Sequence, residues 1–442
     1  MVATTPLNTE AQQRWHEHWQ QRWYPVAYLQ DLDPRQPTAF TLLGQDLVLW
    51  WDAGPGQWRA FADICPHRRV PLSQGRLNGR GELECPYHGW SFNGEGHCTT
   101  IPQAEPELAE RACRNARSAC RSYATATAQG LLFVFAGQGE QANSADLPRL
   151  PLLDEPGWLV QDTFRDLPMD ALTLLENVLD VSHVPFTHHR TVGRRQNAAP
   201  VSAELTAFSP EGFNLTWPEG PRRGKLGSQF TTFLAPGLMW HDLTAQGFAR
   251  FLTVVYATPI RPGECRLFAR FPFQFRSRLP RLLLRARPVW LQHLGNHTVL
   301  EDDQVFLHWQ ERVQGQPSYL PTSADVYITA LQDWVRTVAG PPFPAATLPP
   351  RQGDAQLMDR YASHTRHCRA CSGALRGVRR WRPVLLVALV VELLLAAWLP
   401  DPAARFVLVL LLALTALALR QFNRWEQLLQ RGDGHPPRNR PD

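Results

Sequence analysis

The chain has 442 residues, 44% of them hydrophobic and 19% charged, which excludes a disordered chain and leaves room for two or three domains. A mean hydropathy of −0.29 excludes a polytopic membrane protein but permits a local membrane segment. The net charge of +5 rests on arginine, Lys225 being the only lysine, and no long basic tract with interleaved aromatics points to nucleic acid.

Eight cysteines are too few for a disulfide framework. Four of them pair locally with His or Cys, which directs attention to metal or redox chemistry.

Residues 1–23 form a polar lead-in broken by Trp15, Trp19 and Trp23. With no apolar core and no small-residue cleavage site, the chain is expected to begin in the cytosol. Residues 24–138 read as an all-β unit, because short apolar runs such as 47–51 and 131–136 are bounded by Gly, Pro, Asn and Asp turns. Within it stand Cys65-Pro66-His67 and, after seventeen intervening residues, Cys85-Pro86-Tyr87-His88-Gly89-Trp90. Each loop offers one thiolate and one imidazole. A zinc site ordinarily pairs like with like, whereas a Rieske [2Fe–2S] centre needs two Cys on one iron and two His on the other. The mixed order predicts the Rieske cluster, held by Cys65, His67, Cys85 and His88, with zinc as the alternative. Gly89, Gly94 and Gly96 permit the tight turns. Cys98, Cys113, Cys120 and Cys265 show no comparable pattern and read as small apolar residues.

Residues 139–159 form a polar linker. Residues 160–345 mix a helix predicted over 170–184 with aromatic and β-branched runs at 251–257 and 267–275, the mark of an α+β domain with an antiparallel sheet. Asn177, Asp180 and His183 recur at i+3 and so would share a helix face. Pro185 should end or kink that helix, letting His188 swing round to the same metal, with His189 as a competitor. Two His and one carboxylate make the facial triad of non-haem Fe(II) oxygenases. The carboxylate is sought in Leu300-Glu301-Asp302-Asp303, projecting inward from the start of an element. The ordinary reading of such a triplet is a solvated loop or helix N-terminus.

Residues 346–382 connect to the C-terminus and carry Cys368-Arg369-Ala370-Cys371. Arg366 and Arg369 should lower the thiol pKa values, so Cys368 and Cys371 read as a redox pair. Half of a zinc site and an inert pair are the alternatives. Residues 383–420 hold two apolar runs, 384–399 and 406–419, joined by Pro400-Asp401-Pro402. Each is shorter than the roughly 20 residues that span a bilayer comfortably. Arg376, Arg379, Arg380 and Arg382 precede them; Arg420 and Arg424 follow. Basic flanks on both sides predict a transmembrane helical hairpin with both ends in the cytoplasm; a buried helical pair is the alternative. Residues 421–442 form a polar tail.

Over nearly its whole length the chain resembles the Rieske non-haem iron oxygenases of the pheophorbide a oxygenase and chlorophyllide a oxygenase group. The resemblance rests on Trp23-Tyr24-Pro25-Val26, Cys65-Pro66-His67-Arg68, Pro71-Leu72-Ser73-Gln74-Gly75-Arg76, Cys85-Pro86-Tyr87-His88-Gly89-Trp90 and Ile101-Pro102-Gln103-Ala104. The set Asn177, Asp180, His183 and His188 carries it further. Asp359-Arg360-Tyr361, His364 and Cys368/Cys371 before a hydrophobic hairpin mark the membrane-bound group specifically. The resemblance selects His188 over His189, and Asp303 over Asp302 as the third ligand of a mononuclear Fe(II). It implies a homotrimer in which Asp180 bridges His183 and a neighbour's His88, and it gives Asp180 and Asn177 catalytic roles. It implies a hydrophobic, chlorophyll-related tetrapyrrole substrate. The N-terminus departs from plant members in lacking a transit-like segment. The expected location is a membrane, of cyanobacterial thylakoid or plasma-membrane type, with catalytic domains on the cytoplasmic side.

No flavin or nicotinamide motif is present, so a separate ferredoxin-type donor is expected. The competing function is a Rieske electron carrier or thiol-linked redox sensor. Iron content separates the two, about three irons per chain against about two.

Overall fold

The computed structural model describes residues 9–221, 227–244, 250–275, 277–313, 318–344 and 346–432. Residues 1–8 of the lead-in and 433–442 of the tail lie outside them.

Helix α1 (Thr9–Trp15) leads into three small antiparallel sheets. The first places Leu131–Phe135 between Trp23–Tyr28 and Thr125–Ala128. All five residues of that central strand are buried, as its unbroken apolar run requires. The second sheet runs Thr38–Leu42, Gln45–Asp52, Gln57–Ala62 and Ser122–Tyr123. Its first hairpin turns at Leu43 and Gly44, both at positive φ, the turn whose twist suits a two-residue connection. The third joins four short strands, Arg76–Leu77, Leu83–Glu84, Ser91–Phe92 and Cys98–Thr100. Helix α2 (Pro106–Cys113) follows, with proline in its first turn.

The next part is built on a seven-stranded antiparallel sheet. Its order is Leu159–Leu167, Glu264–Phe273, Phe251–Arg261, Leu238–Leu243, Gln229–Leu234, Gly212–Trp217 and Glu204–Ser209. Alternation along a strand sends neighbours to opposite faces. Val255 and Ala257 accordingly join a core with Leu174, Leu175, Leu179, Leu331 and Trp334, from α3 (Ala171–Leu179) and α7 (Val326–Trp334). Val254 and Tyr256 join another core with Tyr28, Phe164 and Phe268. Phe268 is wholly buried there. The other helices of this part are α4 (Val184–Thr187), α5 (Arg278–Ala286), α6 (Val289–Gln310) and α8 (Asp354–Leu357). The architecture is a β-rich unit followed by an α+β unit with an antiparallel sheet, as expected.

Two helix boundaries differ from expectation. The helix predicted over 170–184 stops at Leu179. Pro185 does not end it; it sits in the first turn of α4, where its missing N–H costs nothing. At the C-terminus, α9 (Arg369–Trp398) and α10 (Pro402–Arg431) each contain 30 residues, about 45 Å of helix. The short apolar runs are therefore only the outer parts of longer helices. Arg379 and Arg382 of α9 pair with Glu426 of α10 at 2.9 and 2.8 Å. Further along, Thr415 donates to Glu392 at 2.9 Å.

Candidate iron sites

The Cys65 and Cys85 loops are built alike. The Cys65 N–H donates to the Val70 carbonyl and the Cys85 N–H to that of Trp90. Each cysteine carbonyl accepts from the residue four positions on, Arg69 or Gly89, and both of those residues take positive φ. At Gly75 a Cβ would lie 2.1 Å from the Glu84 carbonyl oxygen, so only glycine lets the two loops close together. Cys65 and Cys85 are buried, whereas His67 is exposed and His88 half-buried. The two imidazoles lie side by side, ring centroids 4.7 Å apart, with Trp90 stacked on His67 at 4.6 Å. Burial pushes the Cys65 thiol up to about 11; ligation to iron, which takes the thiolate, reverses that effect. Two sulfurs inside and two imidazoles at the surface fit a [2Fe–2S] cluster with cysteine on one iron and histidine on the other.

The second site gathers His183, His188 and Asp303, their donor atoms all within 4.8 Å of one another. His183 and His188 flank α4. The His183 Nδ1–H donates to the Asp180 carbonyl oxygen, so its Nε2 points the other way. The His188 Nδ1–H donates to Asp302 Oδ2 at 3.3 Å. The two Nε2 atoms thus meet at 3.2 Å, and Asp303 Oδ2 stands 3.2 Å from His188 Nε2 and 4.0 Å from His183 Nε2. Two ring nitrogens and a carboxylate converging this way call for a positive charge between them. Asp303 Oδ1 is buried with no hydrogen-bond partner. Burial opposes protonation of His188, but its hydrogen bonds to Asp302 and Asp303 outweigh burial and hold it at about 9. The residues present fit a mononuclear iron. Iron so held keeps coordination positions open for O2 and water.

Other expected residues fall differently. The acids lie in the second half of α6, not at an element start; Glu301, Asp302 and Asp303 are all buried, which rules out the solvated reading. Asp302 supports His188 and accepts from Thr191 at 2.8 Å. Glu301 binds Arg165 at 2.6 Å and Arg360 at 2.7 Å. His189 Nδ1 accepts from the Arg195 N–H instead of joining the triad. Asn177 lies in the last turn of α3, whereas Asp180 is its C-cap and His183 lies beyond it, so the three do not share one helix face. Asp180 Oδ1 accepts from the Ser182 N–H and hydroxyl, leaving the carboxylate partly open to solvent.

The thiol expectation is also corrected. Cys368 and Cys371 are buried, and the adjacent Cys371 sulfur, reinforced by burial, pushes the Cys368 thiol up rather than down. Arg366 donates to His367, and the Arg369 N–H donates to Asp31. His293 and His364, which surround this pair, carry no local sequence signal pointing to it; His364 entered only through the family resemblance.

A Rieske-type cluster loop pair, together with a two-histidine, one-carboxylate site in a unit built on an antiparallel sheet, defines a Rieske non-haem iron oxygenase. Comparison with known proteins agrees and narrows this. A model of the Rieske [2Fe-2S] domain matches residues 22–123, and one of pheophorbide a oxygenase matches 233–318. The chain is 35% identical to the chloroplastic pheophorbide a oxygenase of Arabidopsis thaliana, over 91% of this chain and 82% of that protein. It is 28% identical to flavonoid 8-hydroxylase 2 of Ocimum basilicum, over 92% and 83%. The chain belongs to the pheophorbide a oxygenase family, and the expected [2Fe–2S] cluster, mononuclear iron and ferredoxin-type donor follow from that membership. Among solved structures, dicamba monooxygenase bound to dicamba shares the fold, with TM-score 0.58 and 21% identity, over 72% of this chain and 96% of that one. NdmA of Pseudomonas putida CBB5 gives 0.57 and 21%, over 73% and 91%.

Proposed function

We propose that the chain is a membrane-anchored, homotrimeric oxygenase acting on a hydrophobic, chlorophyll-related tetrapyrrole. Cys65, His67, Cys85 and His88 hold the cluster; His183, His188 and Asp303 hold the mononuclear iron. The carrying observation is the His183–His188–Asp303 convergence, which a mere electron carrier does not need. The substrate class is supported by 35% and 33% identity to two plant pheophorbide a oxygenases along most of the chain. Asp180, partly exposed and adjoining His183, is suited to meet His88 of the partner subunit.

Membrane attachment is supported by α9 and α10, whose 18-residue apolar windows are 0% and 6% buried. No polar face covers them, so lipid is the fitting surrounding. Helix α5 adds to this: Leu279, Leu282 and Leu283 are exposed among Arg278, Arg281 and Arg285, the pattern of a helix lying on a bilayer surface.

The test is anaerobic incubation of the reduced protein with pheophorbide a, chlorophyllide a, protochlorophyllide or a flavone, then one pulse of O2 and mass analysis. Oxygen gained by a tetrapyrrole is the expected result. Oxygen gained only by the flavone overturns the substrate class; no product from protein with about three irons per chain overturns the oxygenase reading.

A further inference from the structure

Beyond the two iron sites, four buried donors converge elsewhere. His293, His364, Cys368 and Cys371 bring one ligand atom each within 4.8 Å of the others, and all four are at most 1% exposed. His293 comes from the first turns of α6. His364 comes from the helical turn Tyr361–Thr365. Cys368 caps α9 and Cys371 lies in its first turn. The sulfurs lie 3.5 and 3.4 Å from His293 Nδ1, and the Cys371 sulfur 3.4 Å from His364 Nε2.

The outer ring nitrogens settle which atoms face inward. The His293 Nε2–H donates to the Asp162 carbonyl at 2.8 Å, and the His364 Nδ1–H to the Phe164 carbonyl at 2.7 Å. Both carbonyls belong to the strand Leu159–Leu167. The rings therefore turn His293 Nδ1 and His364 Nε2 inward, where they face each other at 3.2 Å. Metal-ligating histidines characteristically give their second N–H to a carbonyl or carboxylate in this way. The His183–His188 pair shows the same arrangement. Two lone pairs at this distance repel unless a positive charge stands between them. Two thiols complete the set, at the start of a 30-residue helix.

We infer that His293, His364, Cys368 and Cys371 form a third metal site, a closed four-coordinate zinc site. The Cys-x2-Cys spacing places both sulfurs on one turn, as in structural zinc sites. An S2N2 donor set is the tetrahedral zinc choice. A [2Fe–2S] cluster spreads its ligand pairs over two irons, whereas four donors mutually within 4.8 Å suit one ion. All positions are filled by protein, so the role is structural. The site fastens the root of α9 to α6 and to the edge strand of the seven-stranded sheet. Zinc binding displaces the two thiol protons to solvent, with no redox change. This assignment stands on its own geometry and does not depend on the substrate.

The full chain, purified in detergent and dialysed against chelator, is assayed for metals by mass spectrometry. One zinc per chain beside the irons is expected. The C368S/C371S double variant should lose that zinc while keeping the Rieske electron paramagnetic resonance signal. X-ray absorption at the zinc edge of the unaltered protein is independent of whether the variant folds. It should show two sulfurs at about 2.3 Å and two nitrogens at about 2.0–2.1 Å. Absence of zinc, an oxygen-rich shell, or a fourth iron in its place overturns the assignment, as does zinc retained in a folded double variant.

Discussion

Glu301, Asp302 and Asp303 are consecutive, yet each does a different thing. A helix turns about 100° per residue, so their side chains leave α6 in three directions. One holds two buried arginines, one supports His188, and one faces both histidines. The sequence could place a carboxylate here but could not divide the labour, because that depends on the rotation of α6 against its neighbours. Asp303→Asn should abolish mononuclear iron while leaving the Rieske signal intact. Asp302→Ala should weaken iron affinity about 10–100-fold, the usual consequence of losing a partner behind a ligating histidine. Iron titration of chelated protein distinguishes the two. The raised His188 pKa adds a pH dependence. In iron-free protein the protonated ring contributes stability below its ordinary 6.5, and that contribution is lost as pH rises through about 9. Iron must displace this proton, so affinity should rise about tenfold per pH unit between those values and level off above. A flat profile over that interval would show that His188 binds iron without releasing a proton.

Local spacing was legible where both ligands sit in one loop, as with Cys65/His67 and Cys85/His88. It was legible too for His183 and His188, though for a different backbone reason than periodicity implied. The i+3 rule presumed a continuous helix, whereas α3 ends at Leu179 and Pro185 starts α4; the break itself aims both Nε2 atoms inward. The C-terminal helices were recognised by their apolar outer parts, but not their roots, because residues 369–382 are polar and basic. Those roots are structural. Leu375 and Val378 of α9 and Leu429 of α10 are buried, and Thr365 donates to the Leu429 carbonyl at 2.6 Å. Leu429→Ala should therefore cost about 2–5 kcal/mol, as for other buried leucines. Thr365→Val, losing one buried hydrogen-bond donor, should cost about 1–3 kcal/mol. Denaturant unfolding in detergent checks both; changes below about 0.5 kcal/mol would mean that α10 does not brace the catalytic unit.

At the scale of the whole molecule, two separable functions meet in α9 and α10. Their roots complete a core with Tyr28, Phe164, Tyr256 and Phe268, while their outer parts expose Val387, Leu394, Phe406, Leu414 and Leu417. Truncation after Ala374 looks harmless from the sequence, since every proposed iron ligand precedes it. The structure argues otherwise: such a chain loses Leu375, Val378 and Leu429 and uncovers the cavity they fill, so aggregation is expected. Excising only the outer parts should behave differently. Arg379 and Arg382 already lie against Glu426, so the antiparallel helices are adjacent near residues 383 and 421. Joining them there by a short Gly-rich turn keeps both roots, the Cys368/Cys371 pair and the Thr365–Leu429 bond. The excised protein should be monodisperse without detergent, carry both iron centres and no longer float with vesicles. Truncation at Ala374 should instead give aggregated protein, read by light scattering of the two products side by side. If the truncated chain is soluble and fully loaded, the roots are not part of the catalytic core. If the excised chain still binds vesicles as tightly as the parent, the membrane contact lies outside the hairpin, and the exposed leucines of α5 become the place to look.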